Sequence, residues 1–188
     1  MLYQEIATQL IQLAKNDLAV REQLLSQGKL SEGYNPEMEA VHKSNTQALK
    51  TIIKHIGYPT ISKVGHEASE AAWLIIQHSI GDPDFMIHCY IVMLENKDDI
   101  SYENIAYLHD RILMYQSKPQ KYGTQMISID TPYPVENIAN LNKYRIEIGL
   151  PPLSEAQIKN IPPIQDIETI DNENPIYNEW RKKTGWIK

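Results

Sequence analysis

Gln77-His78 closes the most apolar stretch of the chain, Ala68 to Ile76, and Asp82-Pro83 follows directly after. A histidine there is either a satisfied core group, donating a ring N–H to a backbone carbonyl, or a general acid–base, because its unperturbed pKa lies near neutrality. Asp82 reads first as a helix cap, and in that position its carboxylate would lie near His78. Asp110-Arg111 follows Tyr107 and His109, again in helical text. Adjacent helical residues project about a hundred degrees apart, so the acid and the base need not pair with each other. An arginine at a cleft binds carboxylate or phosphate through two parallel hydrogen bonds, whereas one facing a neighbouring helix makes a salt bridge. The segment Pro119-Gln120-Lys121-Tyr122-Gly123-Thr124-Gln125 supplies two amides, a phenol and a hydroxyl around a glycine. These groups either hold a polar ligand or tie the loop to its own helices.

The functional expectation is therefore a pocket in which the ends of helices 62–80 and 102–116 meet the 117–126 loop. His78 serves as acid–base, oriented by Asp82 or Asp110. Arg111, with Gln77, Gln120, Tyr122, Thr124 and Gln125, binds a small polar or anionic substrate. Transferase or hydrolase chemistry fits such a set. The rival expectation is a non-enzymatic interaction protein, such as an immunity or adaptor domain, whose acidic surface meets a basic partner. No metal and no cofactor are expected. His66, Glu70, Trp73 and Gln77 share a helical stripe, but the stripe holds only one imidazole and one carboxylate, short of a metal site. Metal-dependent catalysis would require His66 or His78 to meet His42, His88 or His109 in space.

The elements that must position these residues are read from periodicity. Residues 2–26 set Leu2, Ile6, Leu10, Leu13, Val20 and Leu24 on one face of a helix, with Asp17 as the one polar interruption. Gly28 to Gly33 reads as a linker. Asn35-Pro36 caps and opens a helix that runs to Gly57, and further helices follow over 62–80, 83–96, 102–116 and 136–148. Between Ser117 and Val135, prolines and Gly123 interrupt the helical period, and Gln125 to Ile129 alternates in the manner of a short strand of a small hairpin. Ser154-Glu155-Ala156-Gln157 has the form of a capping box, and the tail after it reads as an arm with a last helical piece around Trp180. The fold class expected is all-α: a compact bundle of about six helices with one irregular loop or small hairpin near 117–135. Its parts are an N-terminal helix and linker (1–34), a core domain (35–153) and a C-terminal arm (154–188).

Composition narrows the function classes. The 188 residues are 42% hydrophobic, enough for a globular core, and the net charge of −6 disfavours nucleic-acid binding, which needs a basic face. A single cysteine, Cys89, forbids an intrachain disulfide and a thiolate zinc cage; in its apolar setting it reads as a buried structural thiol. No run approaches the ~20 apolar residues that span a bilayer. With no basic start followed by an apolar core and a cleavage site, the expected location is the cytoplasm, although a protein exported without a leader would look the same. Nucleophile elbows, paired zinc-binding histidines, phosphate loops and dinucleotide fingerprints are not found in the sequence.

Six separated motifs occur in a fixed order: Gly57-Tyr58-Pro59-Thr60, Ala71-Ala72-Trp73-Leu74-Ile75-Ile76-Gln77-His78, Asp82-Pro83-Asp84-Phe85, Tyr107-Leu108-His109-Asp110-Arg111, Pro119 to Gln125, and Gly149-Leu150-Pro151-Pro152-Leu153. Together with Gly65 they resemble a bacterial family of small proteins catalogued as a domain of unknown function, over roughly 40–153. Tyr58 stands where that pattern carries tryptophan, which should be a packing change. The resemblance implies a soluble, largely helical protein and assigns no activity. The polar positions it matches are Gln77, His78, Asp82, Asp110, Arg111, Gln120, Tyr122, Thr124 and Gln125; His66 and Glu70 lie outside it.

Overall fold

Alanines and one aspartate, rather than large aliphatics alone, make up the buried stripe of the first helix. The computed structural model describes residues 2–30 and 34–188, so part of the expected Gly28–Gly33 linker lies outside the described residues. Helix α1 (Gln4–Ser26) buries Ala7, Leu10, Ala14, Asp17 and Leu24. Leu2 stays exposed, so the inward face is turned slightly from the one that leucine spacing suggests. Helix α2 (Pro36–Ile56) begins where the Asn35 side chain accepts the backbone N–H groups of Glu37 and Met38, and ends at Gly57. Its buried positions Met38, Asn45, Thr46, Leu49, Ile52 and Ile56 follow one stripe.

The segment expected as one helix over 62–80 is two. Gly65, at φ +83°, separates α3 (Ile61–Val64) from α4 (His66–His78). That left-handed conformation costs a side chain roughly 1–2 kcal/mol, and glycine accepts it. α4 packs on both α1 and α2. Small side chains (Ala68, Ala71 and Ala72 on α4, Ala7 and Ala14 on α1) are buried and permit close approach. α5 (Pro83–Glu95) starts at Asp82, whose side chain accepts the N–H of Phe85, and buries Phe85, Met86, Cys89 and Met93.

The chain divides into two compact units, one ending at Ile100 and the other Ser101–Lys188. In the second, α6 (Tyr102–Tyr115) buries Leu108, Asp110 and Ile112; Ser101 occupies its cap position without a side-chain hydrogen bond. The expected hairpin is present: β1 (Met126–Ser128) pairs antiparallel with β2 (Thr131–Pro132). All three β1 residues are exposed, so their alternation does not record an inner and an outer face. A turn of 3-10 helix, Ile138–Asn140, precedes α7 (Leu141–Glu147). α8 (Glu155–Lys159) opens with the capping box, and α9 (Ile167–Asn172) and α10 (Pro175–Thr184) complete the tail.

The fold is thus mostly helical, about 68%, with one two-stranded sheet. Among the described residues there are ten α-helices, not about six. The excess is short: α3 is split off by Gly65, and three helices lie in the proline-interrupted tail, where each proline or cap opens a new turn. No helix among the described residues is long and apolar enough to cross a membrane.

Candidate functional site

Asp17 lies on the buried stripe of α1 with no exposed surface. Its partners come from two other helices. Nδ1 of His78, the last residue of α4, donates to Asp17 Oδ1 at 2.9 Å. On α2, Asn45 Nδ2 donates to Asp17 Oδ2 at 3.3 Å, and Nε2 of His42 stands 3.5 Å from the same oxygen. His42 and Asn45 are three residues apart, and therefore project from one face of α2. The His42 and His78 rings lie 4.9 Å apart between centroids, tilted by 36°. Tyr34 Oη meets the other nitrogen of His42, Nδ1, at 2.5 Å.

Burial by itself drives the Asp17 carboxyl toward its neutral form, but the close imidazoles of His42 and His78 outweigh it. The pKa is held well below the ordinary carboxylate range. An ionised carboxylate only accepts, so the hydrogen between Asp17 and His78 belongs to Nδ1 of the imidazole. This fixes the tautomer of neutral His78 and leaves Nε2 as its basic nitrogen. Both imidazoles line a cavity of about 250 Å³, with Tyr34, Thr46, Lys50 and Asp82 among its other walls. Asp82 holds Lys50 Nζ at 2.5 Å across the rim while capping α5. Below the histidines, Ser79 Oγ donates to Ile75 O and meets Thr46 Oγ1 at 2.8 Å, so the end of α4 is tied to α2.

Two of the expected site residues, His78 and Asp82, share this cavity, and Gln77 is buried beside His78 in α4. The remaining six belong to the second unit. There Asp110, fully buried, receives backbone N–H groups of Lys121, Tyr122 and Thr124 and the Thr124 hydroxyl, at 2.9 to 3.2 Å. Gln120 gives its amide to the carbonyls of Gln125 and Tyr133, and its Oε1 accepts Gln125 N–H. Gln125 in turn donates to Thr124 Oγ1. The Tyr122 ring meets His109 edge-on, and the Tyr122 carbonyl accepts from Arg145. Gly123, at φ +66°, holds a conformation strained for any side chain, and a Cβ there would crowd a Leu153 methyl at 3.2 Å. Arg111 is half-buried on α6 next to Asp110.

A family model described as a family of unknown function (DUF6624) matches residues 4–162. The chain belongs to the DUF6624 family. The match reaches α1, so in this DUF6624 protein Asp17 falls inside the family region together with His42 and His78. Neither a curated protein nor a solved structure matches the chain.

Sequence reasoning singled out His78, named His42 only as one of three histidines that a metal reading would bring to His66 or His78, and missed Asp17 and Asn45 as partners. The signal for Asp17 was present as the one polar residue on an apolar helical face. His42 carried a weaker one, a position on the buried stripe of α2. Tyr34 and Lys50 carried none.

Proposed function

We propose that the cavity faced by His42 and His78 is the reaction centre of an enzyme, a hydrolase or transferase acting on a small polar or anionic molecule. The observation that carries this reading is a fully buried carboxylate aimed at the Nδ1 of a histidine that borders a cavity. In this arrangement His78 Nε2 takes a proton from a water or a substrate hydroxyl, and Asp17 stabilises the imidazolium that results. The orienting carboxylate is then Asp17, while Asp82 and Lys50 supply a polar rim. The cavity volume suits a ligand smaller than typical drug-sized ones. Asp110 and the 120–125 amides act in this reading as the frame of the second unit.

The test is a thermal-shift screen of small phosphorylated and carboxylated compounds, followed by turnover assays on those that stabilise the fold. His78→Gln should keep the fold and lower turnover by about 100-fold or more, the usual scale for a lost acid–base. Unchanged turnover in that variant would remove His78 from the mechanism.

The second reading, a protein-binding module of the immunity or adaptor kind, draws on the second unit. Its polar loop residues are paired internally, and Ile127 and Ile129 stand exposed on the hairpin. A screen with no stabilising ligand, together with a stoichiometric complex lost on Ile129→Asp, would favour it.

A further inference from the structure

Asp17, His42 and His78 present three ligand atoms that all lie within 4.8 Å of one another. We infer that these three side chains form a binding site for a divalent transition-metal ion, with zinc as the best-fitting case. Two imidazoles and one carboxylate, with a fourth position open to a cavity, are the donor set of catalytic zinc sites. The same donors disfavour magnesium, which prefers oxygen and keeps its waters.

The spacing agrees with this assignment. Donors about 2.0–2.2 Å from a tetrahedral ion lie roughly 3.3–3.5 Å from each other. His78 Nδ1 and His42 Nε2 stand 2.9 and 3.5 Å from the carboxylate oxygens, so small side-chain shifts suffice. Among the described residues the buried His42 Nε2 has no hydrogen-bond partner, and Asp17 Oδ2 stands 3.5 Å from it, at an ion-pair distance. An ion between them would give that nitrogen a direct bond in place of the 3.5 Å approach. The surrounding shell is also of the right kind: Tyr34 engages the far nitrogen of His42, and Asn45 donates to Asp17, as outer partners do around bound metals.

Occupancy changes the proton on His78. Its hydrogen moves from Nδ1 to Nε2, so the ring stays neutral and Nδ1 offers its lone pair to the ion. The inference goes beyond the acid–base reading and does not need it: ion binding is measured without any substrate. With an ion in place the basic group of the cavity becomes the ion-bound water, whose pKa a catalytic zinc lowers to about 7.

The experiment strips the full-length chain with a chelator, removes the chelator, and titrates with Zn²⁺ by calorimetry. A parallel Co²⁺ titration is followed by visible absorption. The expected result is about one equivalent bound per chain and a tetrahedral cobalt spectrum. Affinity should fall by 10- to 100-fold or more in His42→Ala and in His78→Ala, and stay unchanged in the control His88→Ala. Circular dichroism of each metal-free variant separates lost ligation from lost folding, and His42→Gln serves if His42→Ala does not fold. No stoichiometric binding by the native chain, or equal affinity in the folded His42 and His78 variants, would overturn the assignment. Turnover by the stripped chain is scored separately, so a failed ion site and a failed His78 mechanism give different results.

Discussion

Asp17 Oδ1 and His78 Nδ1 are 2.9 Å apart across 61 residues of chain, joining the middle of α1 to the last residue of α4. The carboxylate has no exposed surface, so it cannot exchange this partner for water. Its other oxygen faces Asn45 and His42 of α2. One side chain thereby ties three helices together and fixes the orientation of a histidine at a cavity.

Removing that side chain should cost stability. Asp17→Ala leaves His78 Nδ1 without its acceptor and Asn45 Nδ2 with only the Leu13 carbonyl, and opens a small void, for an expected loss of about 2–4 kcal/mol. His78→Gln, whose amide can still donate to the buried carboxylate, should lose less, about 1–2 kcal/mol. Urea unfolding at pH 7 measures both, and similar losses for the two variants would contradict the asymmetry.

The same carboxylate sets an acid limb. Its folded pKa lies below the ordinary value of 3.8, so between the two the unfolded chain binds more protons and stability rises with pH. The Asp17 contribution is complete above about pH 5 and declines as pH falls through 4 toward 3. The difference in urea midpoint between the native chain and Asp17→Asn should therefore shrink over that interval. A constant difference from pH 6 to pH 3 would show that Asp17 is not the group responsible.

Asp110 is the corresponding anchor in the second unit. Asp110→Ala removes the acceptor for three backbone N–H groups and a hydroxyl, and should cost about 3–5 kcal/mol. Hydrogen exchange at Lys121, Tyr122 and Thr124 should accelerate more than exchange within α6. Uniform acceleration would mean that the loop is not held locally by this side chain.

Cys89 is buried in α5, and burial, followed by the Asp82 charge, pushes its thiol up to about 12 despite the opposing charge of Lys50. The thiolate is the reactive form, so a chromogenic disulfide reagent at pH 8 should label the native chain slowly and the urea-unfolded chain at once. Rapid native labelling would place the thiol within reach of solvent.

Periodicity and caps carried much of the architecture. The Asn35 and Asp82 caps, the Ser154–Gln157 capping box and the breaks between Ser117 and Val135 depend on residues within a few positions of one another, and local backbone chemistry decides them. The split at Gly65 was less legible, because a glycine inside helical text is compatible with both a continuous and a broken helix.

The partners of the polar groups were decided elsewhere. Asp17 declared itself in the sequence only as a misfit on an apolar face, since burying a carboxylate is costly until something meets it. Which groups meet it depends on how α1, α2 and α4 cross, and that follows from the packing of small and large side chains over long sequence separations. The residues able to carry charge and protons are visible one at a time along the chain. Their assembly into a site belongs to the tertiary structure, because hydrogen bonds and ion pairs act over a few ångströms in space, whatever the distance along the chain.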